Sequence, residues 1–152
     1  MYRTAVAILG REVDAEEAAQ DAFVSAWRAL PRLRDVERFD AWLGRIVVNA
    51  CRMALRRRRA IHEITLEAIG DPRDEEGRDP DPAEVAATAD TFDRAFERLS
   101  VDERALLLFA YRDELPLAEI GARLGVPVGT VKSRLFRARR SLDGALAAEE
   151  PA

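Results

Sequence analysis

The chain has 152 residues, 48% of them hydrophobic and 34% charged, with a formal net charge of -4. A single cysteine, Cys51, excludes an internal disulfide framework, and a single histidine, His62, leaves no cluster with zinc-ligand spacing. No apolar run approaches the ~18 residues of a membrane span, so a cytoplasmic, helix-rich chain without membrane insertion is expected, with no cofactor and none of the ordinary catalytic kits.

In the N-terminal part, Asp14 followed by Glu17 resembles a capping box and predicts a helix start. From there Ala19, Ala22, Phe23, Ala26, Trp27 and Leu30 recur at helical spacing as a predicted core face, until Pro31 ends the run. A second helix is predicted from about Glu37 to Arg58. Its apolar stripe is Phe39, Leu43, Ile46, Val47, Ala50 and Ala54, flanked by Trp42 and Met53, with Cys51 as a small buried hydrophobe. Core packing is the reading for Phe23, Trp27, Phe39 and Trp42. A second stripe, Arg45, Asn49, Arg52 and Arg56, runs at intervals of four, three and four, so three guanidinium groups and an amide share one face.

The net charge hides a segregation along the chain. Residues 41 to 60 carry six arginines and no acid, whereas residues 71 to 84 hold seven acids against two arginines. The acidic stretch also contains Pro72, Gly77, Pro80 and Pro82 and offers nothing apolar to bury, which predicts a flexible linker. An all-α fold of two small helical domains follows, with a helical domain over 1–68, the acidic linker over 69–86 and a four-helix domain over 87–148.

Past the linker, apolar spacing predicts a helix around Phe92, Ala95, Phe96 and Leu99. Ser100 with Glu103 three residues on caps the next run, through Leu106, Leu107, Phe109 and Ala110. Pro116 opens a short helix with Leu117, Ile120 and Leu124 on its buried side, closed by Gly125. The following helix places Val131, Leu135, Ala138 and Leu142 in one stripe. Its opposite arc holds Gly129, Thr130, Lys132, Ser133, Phe136, Arg137 and Arg140. A helix packed on its predecessor across a glycine turn, with donors on its far side, has the form of a DNA-reading helix-turn-helix.

The stretch LAEIGARLGVPVGTVKSRLFRARRSL resembles region 4 of the extracytoplasmic-function (ECF) sigma factors, and DAEEAAQDAFVSAWRALPRL with FDAWLGRIVVNACRMALRRRR resembles their region 2. The resemblance implies a promoter-specificity factor, not an enzyme, that binds core RNA polymerase and promoter DNA and promotes transcription initiation, with an anti-sigma factor as a plausible further partner. It implies that Asp14, Glu17, Gln20 and Asp21 dock on polymerase. Arg45, Asn49, Arg52 and Arg56 would meet the -10 element, with Asn49 as base reader and the arginines on phosphates. Thr130, Lys132, Ser133, Arg134, Phe136, Arg137 and Arg140 would meet the -35 element. The acidic linker is expected to mimic nucleic acid near the polymerase active centre or to serve as a plain tether.

Family members usually carry another helix's worth of residues before the point matched by Tyr2 to Gly10, so either an upstream start or a shortened region 2 is expected. Pro127 stands where relatives often have a capping serine. Two other readings stay open on the residues alone. One is a helix-turn-helix regulator that never joins polymerase; the other is a metal site in the acids between Asp71 and Glu84, which lack the spacing and glycine of a calcium loop.

Overall fold

The computed structural model describes the backbone of residues 1–69 and 85–149, and side chains within 1–64 and 90–149. The acidic stretch over 70–84, with the linker and metal-site readings attached to it, lies outside the described residues. Seven α-helices are found among the described residues: α1 (Tyr2–Leu9), α2 (Glu12–Ala29), α3 (Phe39–Ile69), α4 (Val85–Glu97), α5 (Val101–Leu107), α6 (Leu117–Leu124) and α7 (Val128–Glu149). The all-α expectation holds.

Helix α1 ends at Gly10, whose φ of 76° is left-handed and whose N–H donates to the Val6 carbonyl. The chain turns there directly into α2, which begins at Glu12, two residues before the expected start. Arg11 occupies the N-cap and, having no side-chain acceptor, caps nothing, while the Asp14 carboxylate, inside the first turn, accepts from Arg58 of α3 at 3.1 Å. The core of this half is built largely from small residues: Ala5, Ala15, Ala18, Ala22, Ala50, Cys51 and Ala54 are all buried, beside Ile8, Val47 and Val48.

The expected core face of α2 is therefore corrected. Its buried line is Ala15, Ala18 and Ala22, while Phe23 is 58% and Trp27 70% exposed and Leu30 is also exposed. Helix α1 has eight residues, about 12 Å, against eighteen, about 27 Å, in α2, so it reaches alongside only the first part of its partner. Helix α3 runs along that end of α2, past Val24, Ser25 and Arg28, and leaves Phe23 and Trp27 exposed. In α3, Met53 and Phe39 are likewise exposed, and Trp42 is half-buried with its ring 5.6 Å from that of Phe39. This helix is preceded by a 3-10 turn, Val36–Arg38, capped by the Asp35 carboxylate, and it runs beyond the expected end at Arg58 to Ile69.

In the C-terminal half the Ser100 capping box forms as expected: Glu103 N–H donates to Ser100 Oγ at 3.3 Å and Ser100 N–H to Glu103 Oε2 at 2.9 Å. After Leu107 the chain widens into a π-helical turn, Leu108–Arg112, that carries the fully buried Phe109. Phe109, Leu106, Ile120 and Val131 form the core under the helix-turn-helix. Burying each contributes about 1.5–3 kcal/mol. Arg94 of α4 and Arg98 just past its end both pair with Glu149, tying α4 to the far end of α7.

The two halves pack against each other through α3 and α6 and through α1 and α5. At the first contact a bare glycine, Gly44, lies under the stem of Arg123. At the second, Arg104 is only 5% exposed. Its guanidinium donates to the Leu99 carbonyl at 3.0 Å, to the Ile8 carbonyl at 2.9 Å and to the Glu97 carbonyl. Burial lowers the pKa of Arg104, with Arg58 and Arg59 adding to the effect against Glu97.

Candidate nucleic-acid interface

The short helix α6 closes at Gly125, with φ of 70°, whose N–H donates to the Gly121 carbonyl. The Val126 N–H reaches the same carbonyl at 2.9 Å. Gly121 permits this turn: a side chain there would stand 2.6 Å from the Val126 carbonyl oxygen. Pro127 then opens α7, its carbonyl accepting from Val131 at 3.1 Å, so the proline replaces a side-chain cap without loss of the first helical bond.

On α7 the predicted stripe is the packed one, with Val131 and Ala138 fully buried and Leu135 and Leu142 partly so. The opposite arc is open. Gly129, Lys132, Ser133, Phe136, Arg137 and Arg140 are exposed, and Thr130 and Arg134 are half-buried at its edges. Ser133 Oγ donates to the Thr130 carbonyl at 3.0 Å, and the Arg140 guanidinium lies 6.0 Å from the centre of the Phe136 ring. Arg139 belongs to another side, 5.0 Å over the ring of Tyr111.

Arg45, Asn49, Arg52 and Arg56 also share one face of α3, but that face is turned toward α5 and α6. Arg45 donates to the Ala122 carbonyl of α6 at 2.9 Å, and Arg52 Nε donates to Asp102 of α5 at 2.7 Å. Arg52 also donates to Asn49 Oδ1, so the amide oxygen is engaged. Arg56 is exposed beside them.

The arginine run after this stripe divides. Arg57 pairs with Asp21 at 2.6 Å and Glu17 at 3.3 Å, and Arg58 pairs with Asp14. Arg56 and Arg59 face the opening of α5. Three of the four residues expected to dock on polymerase are thus brought together by one pair of arginines; Gln20 is exposed between them.

Sequence reasoning missed a groove of about 330 Å³ at the start of α3, where Arg32, Arg34, Arg38 and Arg45 gather around Trp42 beside Ala122. The signal was present as three arginines within seven residues of the connection before α3, next to an aromatic. It also missed Glu103 as more than a cap. Burial would raise its pKa, but the Ser100 N–H, the Ser141 hydroxyl, the Ser100 hydroxyl and the charge of Arg137 outweigh it and hold the carboxyl below its ordinary value. Cys51 is fully buried, and burial pushes its thiol up to about 12, in keeping with a purely packing role.

Two helical halves, one with a helix-turn-helix and one with a basic helix, define a sigma-type arrangement. Residues 1–61 match the family model for sigma-70 region 2 and residues 89–142 that for sigma-70 region 4. The chain is 38% identical over 129 residues to the ECF RNA polymerase sigma factor SigM of Mycobacterium tuberculosis, which covers 85% of this chain and 62% of SigM. It is 30% identical over 150 residues to the ECF sigma factor SigW of Bacillus subtilis, covering 93% of this chain and 80% of SigW. Its fold matches that of the sigma factor RpoE of Bartonella quintana, solved with the anti-sigma factor NepR. That match has a TM-score of 0.67 at 23% identity and covers 98% of this chain and 91% of RpoE. The chain belongs to the ECF RNA polymerase sigma factor family.

Proposed function

We propose that the chain acts in the cytoplasm as a promoter-specificity subunit of RNA polymerase, binding the core enzyme and promoter DNA without catalysis of its own. The observation that carries this is the presence, in one chain, of two separate basic helix faces on two family-matched halves: the open arc of α7 and the Arg45 to Arg56 stripe of α3. The division into a helical domain over 1–68, a tether over 69–86 and a four-helix domain over 87–148 belongs to this reading. A bare helix-turn-helix regulator has no use for the first half.

On α7, Lys132, Ser133 and Arg137 are the central upstream-element contacts. Thr130, Arg134 and Phe136 lie beside them and Arg140 rests on the backbone, since exposed guanidinium groups pair bidentately with guanine or phosphate. On α3, Asn49 reads a downstream base while Arg45, Arg52 and Arg56 hold phosphates, and Trp42 in its arginine-lined groove offers a stacking surface for an unpaired base. Asp14, Glu17, Gln20 and Asp21 dock on polymerase, and the exposed rings of Phe23 and Trp27 on the same helix add apolar area to that surface. An anti-sigma factor, as found with RpoE, is a further partner of this reading.

Run-off transcription with core polymerase tests it: promoter-dependent transcript is expected, weakened by Arg137→Ala and Lys132→Ala, with Asn49→Ala impairing strand opening at unchanged duplex affinity. Absence of any transcript beside intact duplex binding favours the regulator instead.

A further inference from the structure

Both oxygens of the Glu103 carboxylate are held. Oε2 accepts from the Ser100 N–H at 2.9 Å and from the Ser100 hydroxyl at 2.8 Å, and Oε1 accepts from the Ser141 hydroxyl at 2.7 Å. The first two contacts close the cap of α5. The third reaches 38 residues along the chain, to the helix that carries the open basic arc. Ser141 stands one helical turn past Arg137, so the two share a side of α7, and a helical side chain leans over the turn that precedes it. The bond from Ser141 therefore brings the carboxylate beside the turn of Arg137. Glu103, Arg134 and Arg137 line one cavity of about 290 Å³, and the charge of Arg137 is among the causes that hold the Glu103 carboxyl below its ordinary value. Asp102 lines that cavity too, but its carboxylate is engaged by Arg52 of α3. Glu103 is thus a fixed acid facing the basic arc of α7.

We propose, building on the reading of α7 given above, that Glu103 is a positioning residue for Arg137. It steers that guanidinium toward base edges and away from phosphates, and so sets sequence discrimination without touching DNA. An arginine can serve either target, since phosphate oxygens and the guanine edge both accept a two-pronged guanidinium. A contact to phosphate carries no sequence information. A long exposed side chain also loses rotamer freedom when it is fixed on a base, and a carboxylate that limits its swing beforehand reduces that loss. The negative charge acts in a second way, because it repels the phosphates that would otherwise draw Arg137 to the edge of the groove. Two serines hold the acid, so it is in place before DNA arrives.

The closing experiment uses the full chain, since the arc of α7 is open in this conformation. Wild type first enriches a duplex from a randomised pool, and fluorescence anisotropy at one salt concentration then measures affinity for that duplex and for a scrambled one. The readout is the ratio of the two. Glu103→Gln keeps an oxygen for the Ser100 N–H and removes the charge. It is expected to lower the ratio roughly two- to fivefold, the scale of a partly exposed ion pair, mainly by tightening binding to the scrambled duplex. In an Arg137→Ala background the same change is expected to leave the ratio where it stands. Asp93→Asn, which removes an exposed acid of α4, is expected to shift both affinities together. Ser100→Ala weakens the cap at constant charge and is expected to lower the melting temperature while sparing the ratio. An unchanged ratio in Glu103→Gln, a loss that persists without Arg137, or an equal loss in Asp93→Asn or Ser100→Ala overturns the positioning role. A wild type that enriches no sequence, or a ratio indifferent to Arg137→Ala, overturns the reading of α7 itself and the positioning role with it. Circular dichroism establishes that each variant is folded, and Ser141→Ala, which releases Oε1 from α7, takes the place of Glu103→Gln if that variant unfolds.

Discussion

A side chain built on Gly44 of α3 would place its first carbon 2.8 Å from Cγ and 2.9 Å from Cδ of Arg123 on α6. Arg123 cannot swing aside cheaply, since its guanidinium donates to Glu119 at 3.0 Å and lies 5.4 Å over the Phe109 ring. Gly44→Val therefore forces α6 away from α3. Overpacking of this kind costs about 1–3 kcal/mol, whereas relief of the glycine's helix penalty returns less than about 1 kcal/mol. Urea unfolding followed by circular dichroism is expected to shift to a lower midpoint; an unchanged midpoint would show that the two helices are not in fixed contact.

The glycines of the helix-turn-helix are expected to behave in opposite ways. Gly121→Ala brings a methyl group within 2.6 Å of the Val126 carbonyl, which is backbone and cannot rotate away, so a loss of about 1–3 kcal/mol and weaker duplex binding follow. At Gly129 nothing lies within 4 Å, so Gly129→Ala gains helix propensity and stabilises by up to about 1 kcal/mol. Paired urea melts of the two variants decide it, and equal effects of the same sign would contradict the geometry.

Arg104 donates to three main-chain carbonyls where the two halves meet. Arg104→Met takes that donor from the buried Ile8 and Leu99 carbonyls and is expected to cost about 3 kcal/mol or more. Arg104→Lys keeps the charge but loses the planar fork that spans Leu99, Ile8 and Glu97, so it restores only part of the loss. Full rescue by lysine in a denaturation series would mean that charge alone matters.

Acid should loosen α5. Because the carboxyl of Glu103 sits below its ordinary value in the fold, its contribution is present above the ordinary carboxylate pKa and disappears as pH falls through the depressed one. Wild type is therefore expected to lose stability relative to Glu103→Gln as pH drops below about 4.5, while at neutral pH the wild type is the more stable. Thermal melts across that range measure the crossover; parallel curves would remove Glu103 from the account.

What was legible in the sequence was local. The Ser100 and Glu103 cap, the glycine turn at Gly125 and the Val131, Leu135, Ala138 stripe depend on residues three to five apart, and each stands where spacing put it. The role of Arg104 was not legible, since one of its acceptors is 96 residues away, and the partners of Arg45 and Arg52 are 77 and 50 residues distant. The stripe of α3 could be counted, but what faces it could not. The error on α2 had a different origin. Apolarity favours burying Phe23 and Trp27, yet burial is decided by what lies opposite, and α2, packed on both α3 and α1, buries its alanines instead.

Both tryptophans of the chain, Trp27 and Trp42, belong to the N-terminal half, so ultraviolet emission from indole senses the helix-turn-helix only where that half touches it. Trp27 projects into solvent, whereas the groove around Trp42 is shared with Ala122 of α6. Lifting α6 from α3 changes the surroundings of one indole and leaves the other as an internal reference. The molecule thus carries a built-in optical gauge of its own closure, readable without a dye.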